Sequence, residues 1–463
     1  MPIQIFDTLS ENKKALKKPS KGKKIRLFVC GPTVYGPIHI GNARTYLIFD
    51  MFVRYLRSTG ISVFYLQNIT DVDDKIIAQA VKDSSDSKVI ADKYKKIYLK
   101  DVKTLGISSV NRYAPATKYI PEIVKQVKTL VRKGNVYKID NDGYYFDVTT
   151  FPEYGKLARR TIAQAEDGLS RIDESVLKRN KADFCVWKFS KAGEPKWKTE
   201  LGAGRPGWHI EDTAITEYFF GPQYDIHGGG IDIKFPHHEA EIAQQESASG
   251  KKPFVKIWMH AGALTVNGKK MSKSLDNFIT LRDFLKKYPA DILRVMVLMH
   301  HYRSPMDYTE KSAEDAEISL NNIKIFLAKT DLAIKKGSGT LSHSFNFPTI
   351  FERSLANDFN TPVALGTIFH CVNYGNKLIW QMNKKSLKET KDFIKKGLEL
   401  FGISTKLPKI PLKIKGMAAQ REKLRDNKQF TQSDALRKEI EGLGYITEDT
   451  PWGQLIWPSR QSK

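Results

Sequence analysis

Ile25-Arg26-Leu27-Phe28-Val29-Cys30 runs into Gly31-Pro32 and Gly36-Pro37 and resumes as His39-Ile40-Gly41-Asn42, and this passage decides the fold. The apolar run is too short for a capped helix and rich in bulky residues, so it reads as a buried strand. The glycines and prolines then break the chain. From His39 to Arg57 apolar residues return at helical spacing (Tyr46, Phe49, Phe52, Val53, Leu56), and Gly60 supplies a stop signal. Val63 to Leu66 follows as a second strand. Strand, turn, helix, strand is the opening of a doubly wound parallel α/β sheet. Such sheets take ligands beyond the carboxyl ends of their strands, where helix N-termini offer unpaired N–H groups to anions. His39 and Asn42, three apart at that helix start, share one face.

A second segment, Lys270-Met271-Ser272-Lys273-Ser274, follows the apolar stretch Ile257 to Val266 and lies in a run with lysines at 269, 270 and 273. Alone, a lysine cluster is a solvated surface, and a lone His-Ile-Gly-Asn is unremarkable. Their joint occurrence beside predicted strands points to a polyphosphate. The pair resembles the two signature motifs of class I aminoacyl-tRNA synthetases, which implies a Rossmann-like catalytic domain and ATP as substrate. Asn42 departs from the histidine commonest at that position but keeps a donor for a phosphate oxygen.

Composition is compatible with that resemblance. A chain of 463 residues is long enough for several domains, and a net charge of +24 fits a polyanionic partner. The basic bias is spread along the chain, which favours nucleic acid over a membrane patch. No apolar run approaches a membrane span. The lysine-rich stretch Lys13 to Lys24 reads as a solvated loop, with RNA contact as the alternative; Asp7 and Glu11 argue against a transit peptide. Three cysteines, Cys30, Cys185 and Cys371, are too few for a disulfide scaffold, so a reducing cytoplasm is expected.

The segment His227-Gly-Gly-Gly-Ile-Asp232-Ile-Lys-Phe-Pro236-His237-His238-Glu239-Ala-Glu241 places a glycine turn before a helix start dense in polar groups. His237 and Glu241, four apart, lie on one face and could hold a borderline metal; a capped helix start with surface carboxylates is the alternative. Cys30 sits where the site should be, although a strand cysteine also serves as a small hydrophobe. These residues carry a closer resemblance, to cysteinyl-tRNA synthetases. It extends through Phe28-Val-Cys30-Gly-Pro-Thr-Val-Tyr, Asn68-Ile-Thr-Asp-Val-Asp-Asp-Lys, Phe151-Pro-Glu-Tyr-Gly-Lys156-Leu and Gly204-Arg-Pro-Gly-Trp208-His-Ile-Glu211. The resemblance implies a zinc ion that recognises the substrate thiolate, held here by Cys30, Asp212, His237 and Glu241. Asp212 stands where the family pattern has a second cysteine. Zinc accepts aspartate oxygen, and the ligand charge is unchanged, but the site becomes harder. A hydroxyl ionises far less readily than a thiol of pKa about 8.5, so serine is a poor zinc ligand and no editing domain is expected. Trp208 walls the pocket or belongs to the core.

By the same resemblance, the cysteine carboxylate attacks the α-phosphorus of ATP, and a terminal ribose hydroxyl of cysteine tRNA then attacks the adenylate. The expected donors to the phosphates are His39 and Asn42, with Lys270 and Lys273 at the pyrophosphate end and Mg²⁺ accompanying ATP. Catalysis then rests on positioning and charge stabilisation.

The expected organisation is a first catalytic half (1–114), a connective insertion (115–205), a second catalytic half (206–275), a helical stem-contact region (276–330), an α-helical domain (331–405), a lysine- and proline-rich linker (406–415) and a tail (416–463). Helical spacing covers Ile120 to Val131, and Tyr144 to Val148 reads as a strand. Asn357-Asp-Phe-Asn-Thr-Pro362 reads as a capped helix start. Ser433-Asp434-Ala-Leu-Arg437 and Glu448-Asp-Thr-Pro451 make the tail similar to the family's anticodon-binding segment, which implies a GCA anticodon. Arg421, Lys423, Arg425 and Lys428 supply phosphate-binding charge, while Trp452 and Trp457 either stack on bases or anchor a small core. A monomer is expected ahead of a dimer. Two rivals stand beside this reading: a ligase joining cysteine to an amino sugar, whose relatives lack the basic tail, and an RNA-binding protein without catalysis, which the intact motifs disfavour.

Overall fold

In the computed structural model the chain opens with a hairpin, β1 (Gln4–Asp7) and β2 (Asn12–Ala15). The structure describes residues 1–161, 164, 175–272, 275–337, 339–342 and 346–459. The passage that decided the fold gives β3 (Ile25–Val29) and α1 (Ile40–Ser58), followed by β4 (Val63–Ile69), α2 (Asp74–Lys82), α3 (Ser87–Thr104) and β5 (Arg112–Pro115). An excursion follows through α4 (Ile120–Arg132), β6 (Val136–Ile139), β7 (Gly143–Phe146), β8 (Phe184–Phe189), β9 (Trp197–Thr199) and β10 (Gly202–Pro206). The chain returns through α5 (Ile210–Phe220), β11 (Tyr224–Gly230), α6 (Glu239–Ser249) and β12 (Val255–Ala261). A three-stranded sheet, with β13 (Leu264–Val266) between β14 (Lys269–Lys270) and β15 (Met306–Tyr308), frames α7 (Leu281–Lys287) and α8 (Ala290–Leu298).

The central sheet is parallel throughout, in the order β12-β11-β3-β4-β5. The chain winds from β3 to β4 and β5 on one side and later to β11 and β12 on the other. The strand order therefore reverses between β3 and β11, and it is beyond the carboxyl ends at such a reversal that open α/β sheets take ligands. Side chains alternate across a strand, so Phe28 and Cys30 share one face and Leu27 and Val29 take the other. His227 of β11 pairs with Phe28 in register, and it joins the Phe28–Cys30 face. That face is covered by α4, α5 and α6, whose Ile123, Val127, Ile215 and Ile242 pack in one buried cluster with Phe28 and Leu66. Each such fully buried side chain contributes about 1.5 to 3 kcal/mol of hydrophobic stabilisation.

The opposite face takes α1, which packs against α8 through a buried ion pair. Arg294 Nη2 lies 3.0 Å from Asp50 Oδ2, and the backbone N–H groups of Ser108 and Ser109 donate to Asp50 Oδ1 at 3.0 Å each. Burial alone would raise the Asp50 carboxyl, but Arg294, Arg54 and those donors hold it below the ordinary carboxylate value.

The excursion forms its own antiparallel sheet, β6-β7-β8-β10-β9. Its loop Phe151–Leu157 docks on α6: Glu239 accepts the backbone N–H groups of Leu157 and Ala158 at 2.9 Å each, and Lys156 lies 2.7 Å from Glu246. The expected lysine-rich loop begins instead as a strand, with Lys13 and Lys14 in β2. Lys14 pairs at 2.6 Å with buried Asp7, whose carboxylate also accepts the backbone N–H of Trp258 at 2.8 Å.

The fold divides into two compact units, Met1–Thr309 with Leu355–Asn360, and Glu310–Ser354 with Thr361–Lys463. The second holds α9 (Glu310–Lys336), α10 (Phe347–Ala356), α11 (Thr361–Leu378), α12 (Lys384–Leu400), α13 (Leu412–Asp426), α14 (Phe430–Gly442), β16 (Tyr445–Thr450) and β17 (Gly453–Pro458), with the end of α10 in the first unit. A helix does begin at Thr361, but the preceding residues do more than cap it. Asp358 and Phe359 adopt left-handed backbone angles, φ 61° and 47°. Buried contacts offset that strain: Asp358 accepts from Tyr302 Oη at 2.6 Å and Arg303 Nη2 at 2.7 Å, and the Phe359 ring lies against Phe52 and Tyr55 of α1. The expected linker ends early, because Pro411, with φ −58°, leads directly into α13.

Candidate active site and metal pocket

The two signature segments meet at the start of α1. His39 is its N-cap residue: Nδ1 accepts the backbone N–H groups of Gly41 at 3.1 Å and Asn42 at 3.2 Å, and Asn42 Oδ1 accepts the N–H of His39 at 3.3 Å. The cap fixes the tautomer. With Nδ1 accepting, the proton sits on Nε2, and the ring presents a donor outward. Burial lowers the His39 pKa to about 4, Asp232 opposing, so the ring is neutral at physiological pH. Asn42 uses Oδ1 in the cap, which leaves Nδ2 to donate.

Backbone bonds hold the stretch that follows the second segment at this point. Ile40 N donates to Ile279 O at 3.2 Å, Leu281 N donates to Ile38 O at 2.9 Å, and the His39 and Phe278 rings meet edge to face at 5.3 Å. Lys270 ends β14, and Asn277 accepts from Ser272 N at 2.8 Å and donates to Lys270 O at 3.1 Å. Met271 reaches Gly41 closely: a Cβ on Gly41 would stand 3.4 Å from Met271 Cε and 2.9 Å from the His39 ring. Lys273 lies outside the described residues.

The second cluster forms beyond the carboxyl end of β3. Cys30 directly follows that strand, His227 comes from β11, Asp212 from α5, and His237, His238 and Glu241 from the turn into α6 and its first turn. His237 Nε2 lies 3.0 Å from Asp212 Oδ2 and 3.3 Å from Glu241 Oε1. Cys30 Sγ lies 3.3 Å from His227 Nε2, 3.2 Å from His238 Nε2 and 4.0 Å from Glu241 Oε1. All six side chains are buried.

Burial governs their protonation. It pushes the Cys30 thiol well above its ordinary value, with Glu241 and Asp212 adding to the effect. It raises Glu211 and Glu241, again with help from Asp212, and it holds His209, His227 and His238 well below the ordinary imidazole value. Neutral imidazoles offer lone pairs, while crowded acids favour any cation that replaces their protons. Asp212 Oδ1 and Glu241 Oε2 are buried without a hydrogen bond, a costly state that a bound cation would relieve. One thiol, imidazoles and two carboxylates form a donor set suited to zinc or a neighbouring divalent ion.

The surroundings orient these groups. His237 Nδ1 lies 2.8 Å from His209 Nδ1, which directs Nε2 toward the carboxylates. The Trp208 ring stacks on His237 at 4.3 Å between centroids and is half-buried. Asn68 donates to Glu211 at 3.2 Å and Thr70 donates to the same oxygen; Asn68 Oδ1 also accepts the backbone N–H of Gly31. The residues at the metal pocket that sequence reasoning passed over are His227 and His238. Their signal was present in the quoted glycine and histidine segment, but only the pairing of β11 with β3 brings them to Cys30.

In the tail, Ile414, Ala418 and Ile440 form a small core. Arg421 is buried and makes a two-pronged ion pair with Asp449, at 2.6 and 2.8 Å, so Nη1 and Nη2 are spent within the tail. Arg425 is more exposed and lies 3.3 Å from the same carboxylate. The Trp452 ring packs over Gly337, 2.7 Å from where a Cβ would stand, and Trp457 lies half-buried on β17, paired with Ile446.

Residues 16–318 match the tRNA synthetases class I (C) catalytic domain, and residues 350–405 match the DALR domain. Among solved structures, Mycobacterium tuberculosis methionyl-tRNA synthetase in complex with methionyl-adenylate is similar in fold, with TM-score 0.59, 14% identity, and coverage of 82% of this chain and 89% of that one. The fold and the domain matches define a class I aminoacyl-tRNA synthetase. The Cysteine--tRNA ligase of Thermococcus gammatolerans is 38% identical over 99% of both chains, and that of Coxiella burnetii is 38% identical over 98% of this chain and all of the relative. The chain belongs to the cysteine–tRNA ligase family. Among the described residues no helix is long and apolar enough to cross a membrane.

Proposed function

We propose that the protein joins L-cysteine to cysteine tRNA through a cysteinyl-adenylate, using ATP with Mg²⁺, and selects the thiol at a metal held by Cys30, Asp212, His237 and Glu241. One observation carries the reading: a capped helix N-terminus with an outward Nε2–H donor and a buried pocket of metal ligands both stand at the carboxyl end of β3. A zinc ion in that pocket would supply a centre that takes a thiolate and leaves a hydroxyl unbound.

In the first step a carboxylate oxygen of cysteine forms a bond to the α-phosphorus as the bond to pyrophosphate breaks. The carboxylate is already a nucleophile, so the chain has little proton chemistry to perform. His39 Nε2 and Asn42 Nδ2 donate to phosphate oxygens as charge builds, and the α1 N-terminus adds its dipole. Lys270 and Lys273 hold the leaving pyrophosphate. Trp208 closes the side of the pocket beside His237. In the second step a ribose hydroxyl of the tRNA terminus attacks the adenylate carbonyl and AMP departs. Arg425, Trp452 and Trp457 remain the candidates to meet the anticodon, with Arg421 shaping the surface they stand on.

Cysteine-dependent ATP–pyrophosphate exchange and charging of cysteine tRNA, with serine as competitor, test the reading. Exchange with cysteine and none with serine is expected. Lys273→Ala should lower the exchange rate by about 100-fold or more, the scale of losing one charge-stabilising group. An unchanged rate removes Lys273 from the mechanism.

A further inference from the structure

The metal pocket contains more ligands than one ion needs. Two overlapping sets, Cys30 with Asp212, His237 and Glu241, and Cys30 with His227, His238 and Glu241, each bring four ligand atoms within 4.8 Å of one another. Glu241 is shared in a particular way: Oε1 faces His237 Nε2 at 3.3 Å, and Oε2 faces His227 Nε2 at 3.3 Å. We propose that the pocket has a second metal seat, formed by Cys30 Sγ, His227 Nε2, His238 Nε2 and Glu241 Oε2, which holds a divalent ion of the zinc type without Asp212. This rests on the reading that the pocket binds a metal.

The geometry suits a tetrahedral ion. Metal–nitrogen bonds of about 2.0 to 2.1 Å and a metal–sulfur bond of about 2.3 Å give ligand-to-ligand edges of roughly 3.3 to 3.6 Å. The edges from Cys30 to His227 and His238 and from His227 to Glu241 are 3.3, 3.2 and 3.3 Å. Both rings are aimed by their other nitrogen. His227 Nδ1 lies 2.6 Å from Tyr224 Oη, and His238 Nδ1 lies 2.8 Å from His260 Nε2, which is anchored in turn by Thr8 at 2.8 Å from His260 Nδ1. Trp258 stacks on His227 at 4.4 Å and restrains its rotation.

The donor sets differ in hardness. The first seat offers one sulfur, one nitrogen and two carboxylates; the second offers one sulfur, two nitrogens and one carboxylate. The second is therefore the softer seat, and it restores the preference for zinc over oxygen-loving cations that aspartate at 212 weakens. It also assembles two anionic ligands around a dication in a fully buried place, where a neutral cluster costs least. A chain with this second seat keeps its ion despite aspartate at 212.

The test is Co²⁺ binding to the full-length protein, followed by metal analysis, sulfur-to-cobalt charge-transfer absorption and the imidazole count from X-ray absorption. Asp212→Ala, with Asp212→Asn as a gentler variant, should bind one ion with sulfur ligation and two imidazoles, at an affinity within about 100-fold of the parent. Adding His227→Ala and His238→Ala should abolish binding. A folded Asp212→Ala that binds no cobalt, or binds it through a single imidazole, overturns the second seat. Absence of binding by the parent protein refutes instead the reading that the pocket is a metal site.

Discussion

At the scale of a residue, Gly41 shows how tightly the start of α1 is built. Its missing side chain lets the His39 ring fold back to cap α1, and it lets Met271 of the second signature segment come within contact of the first. A methyl group there would stand 2.9 Å from the ring, so either the cap or the approach of Met271 must yield. Gly41→Ala should therefore lower the rate of cysteine-dependent pyrophosphate exchange by about 100-fold, the cost of misplacing reacting groups by about 1 Å. The KM for cysteine should barely move, since the atoms nearest that methyl group belong to His39 and Met271 and not to the proposed metal ligands. A variant with unchanged rate would show that the contact is not part of the catalytic geometry. Arg421 illustrates the opposite case. Its charge made it a candidate for RNA, yet its partners are Asp449 and Gln454, and nothing in local sequence reveals that two acceptors wait 28 and 33 residues away.

Elements were legible where periodicity and breakers agreed. The run from Ile25 and the helix from His39 emerged within one residue at each observed start, because bulky residues, Gly-Pro breaks and helical spacing all pointed the same way. The three-residue strand β15 was not legible, since Met306–Tyr308 is too short to show alternation and exists through pairing with β13. His227 escaped for a related reason: in a strand ending in three glycines it has no side-chain pattern around it, and its partner Cys30 lies 197 residues earlier. The α1–α8 contact was equally hidden, and it carries a prediction. Asp50 is depressed in the folded protein, so its contribution is complete above the unfolded carboxylate value of about 3.9 and is lost as pH falls through the lower folded value. Asp50→Asn removes the carboxylate 3.0 Å from buried Arg294 and should cost about 3 kcal/mol at neutral pH. Urea titrations should show the gap between parent and variant closing as pH falls below about 4. A gap that is constant from neutral to acid pH would mean the ion pair does not supply it.

For the whole molecule, the strongest physical statement is the charge of +24 on 463 residues. Ion pairs consume part of the basic set: Arg294 is tied to Asp50, Arg303 to Asp358, Arg421 to Asp449. The exposed lysines remain to meet a polyanion, and a tRNA releases counterions when they do. The two half-reactions should then separate by their response to salt. On the proposed mechanism pyrophosphate exchange needs only cysteine and ATP, whereas charging needs the tRNA. Between roughly 50 and 200 mM salt, neutralisation of only two phosphates would raise the KM for tRNA by about tenfold, and more contacts would steepen it. Exchange measured in the same buffers should change far less than charging, because it involves one short polyphosphate in place of a tRNA backbone. If both reactions weakened in parallel, the net charge would be acting on the fold or on ATP; if neither did, the basic surface would not be the tRNA-binding surface, and shape and base contacts would have to supply the affinity.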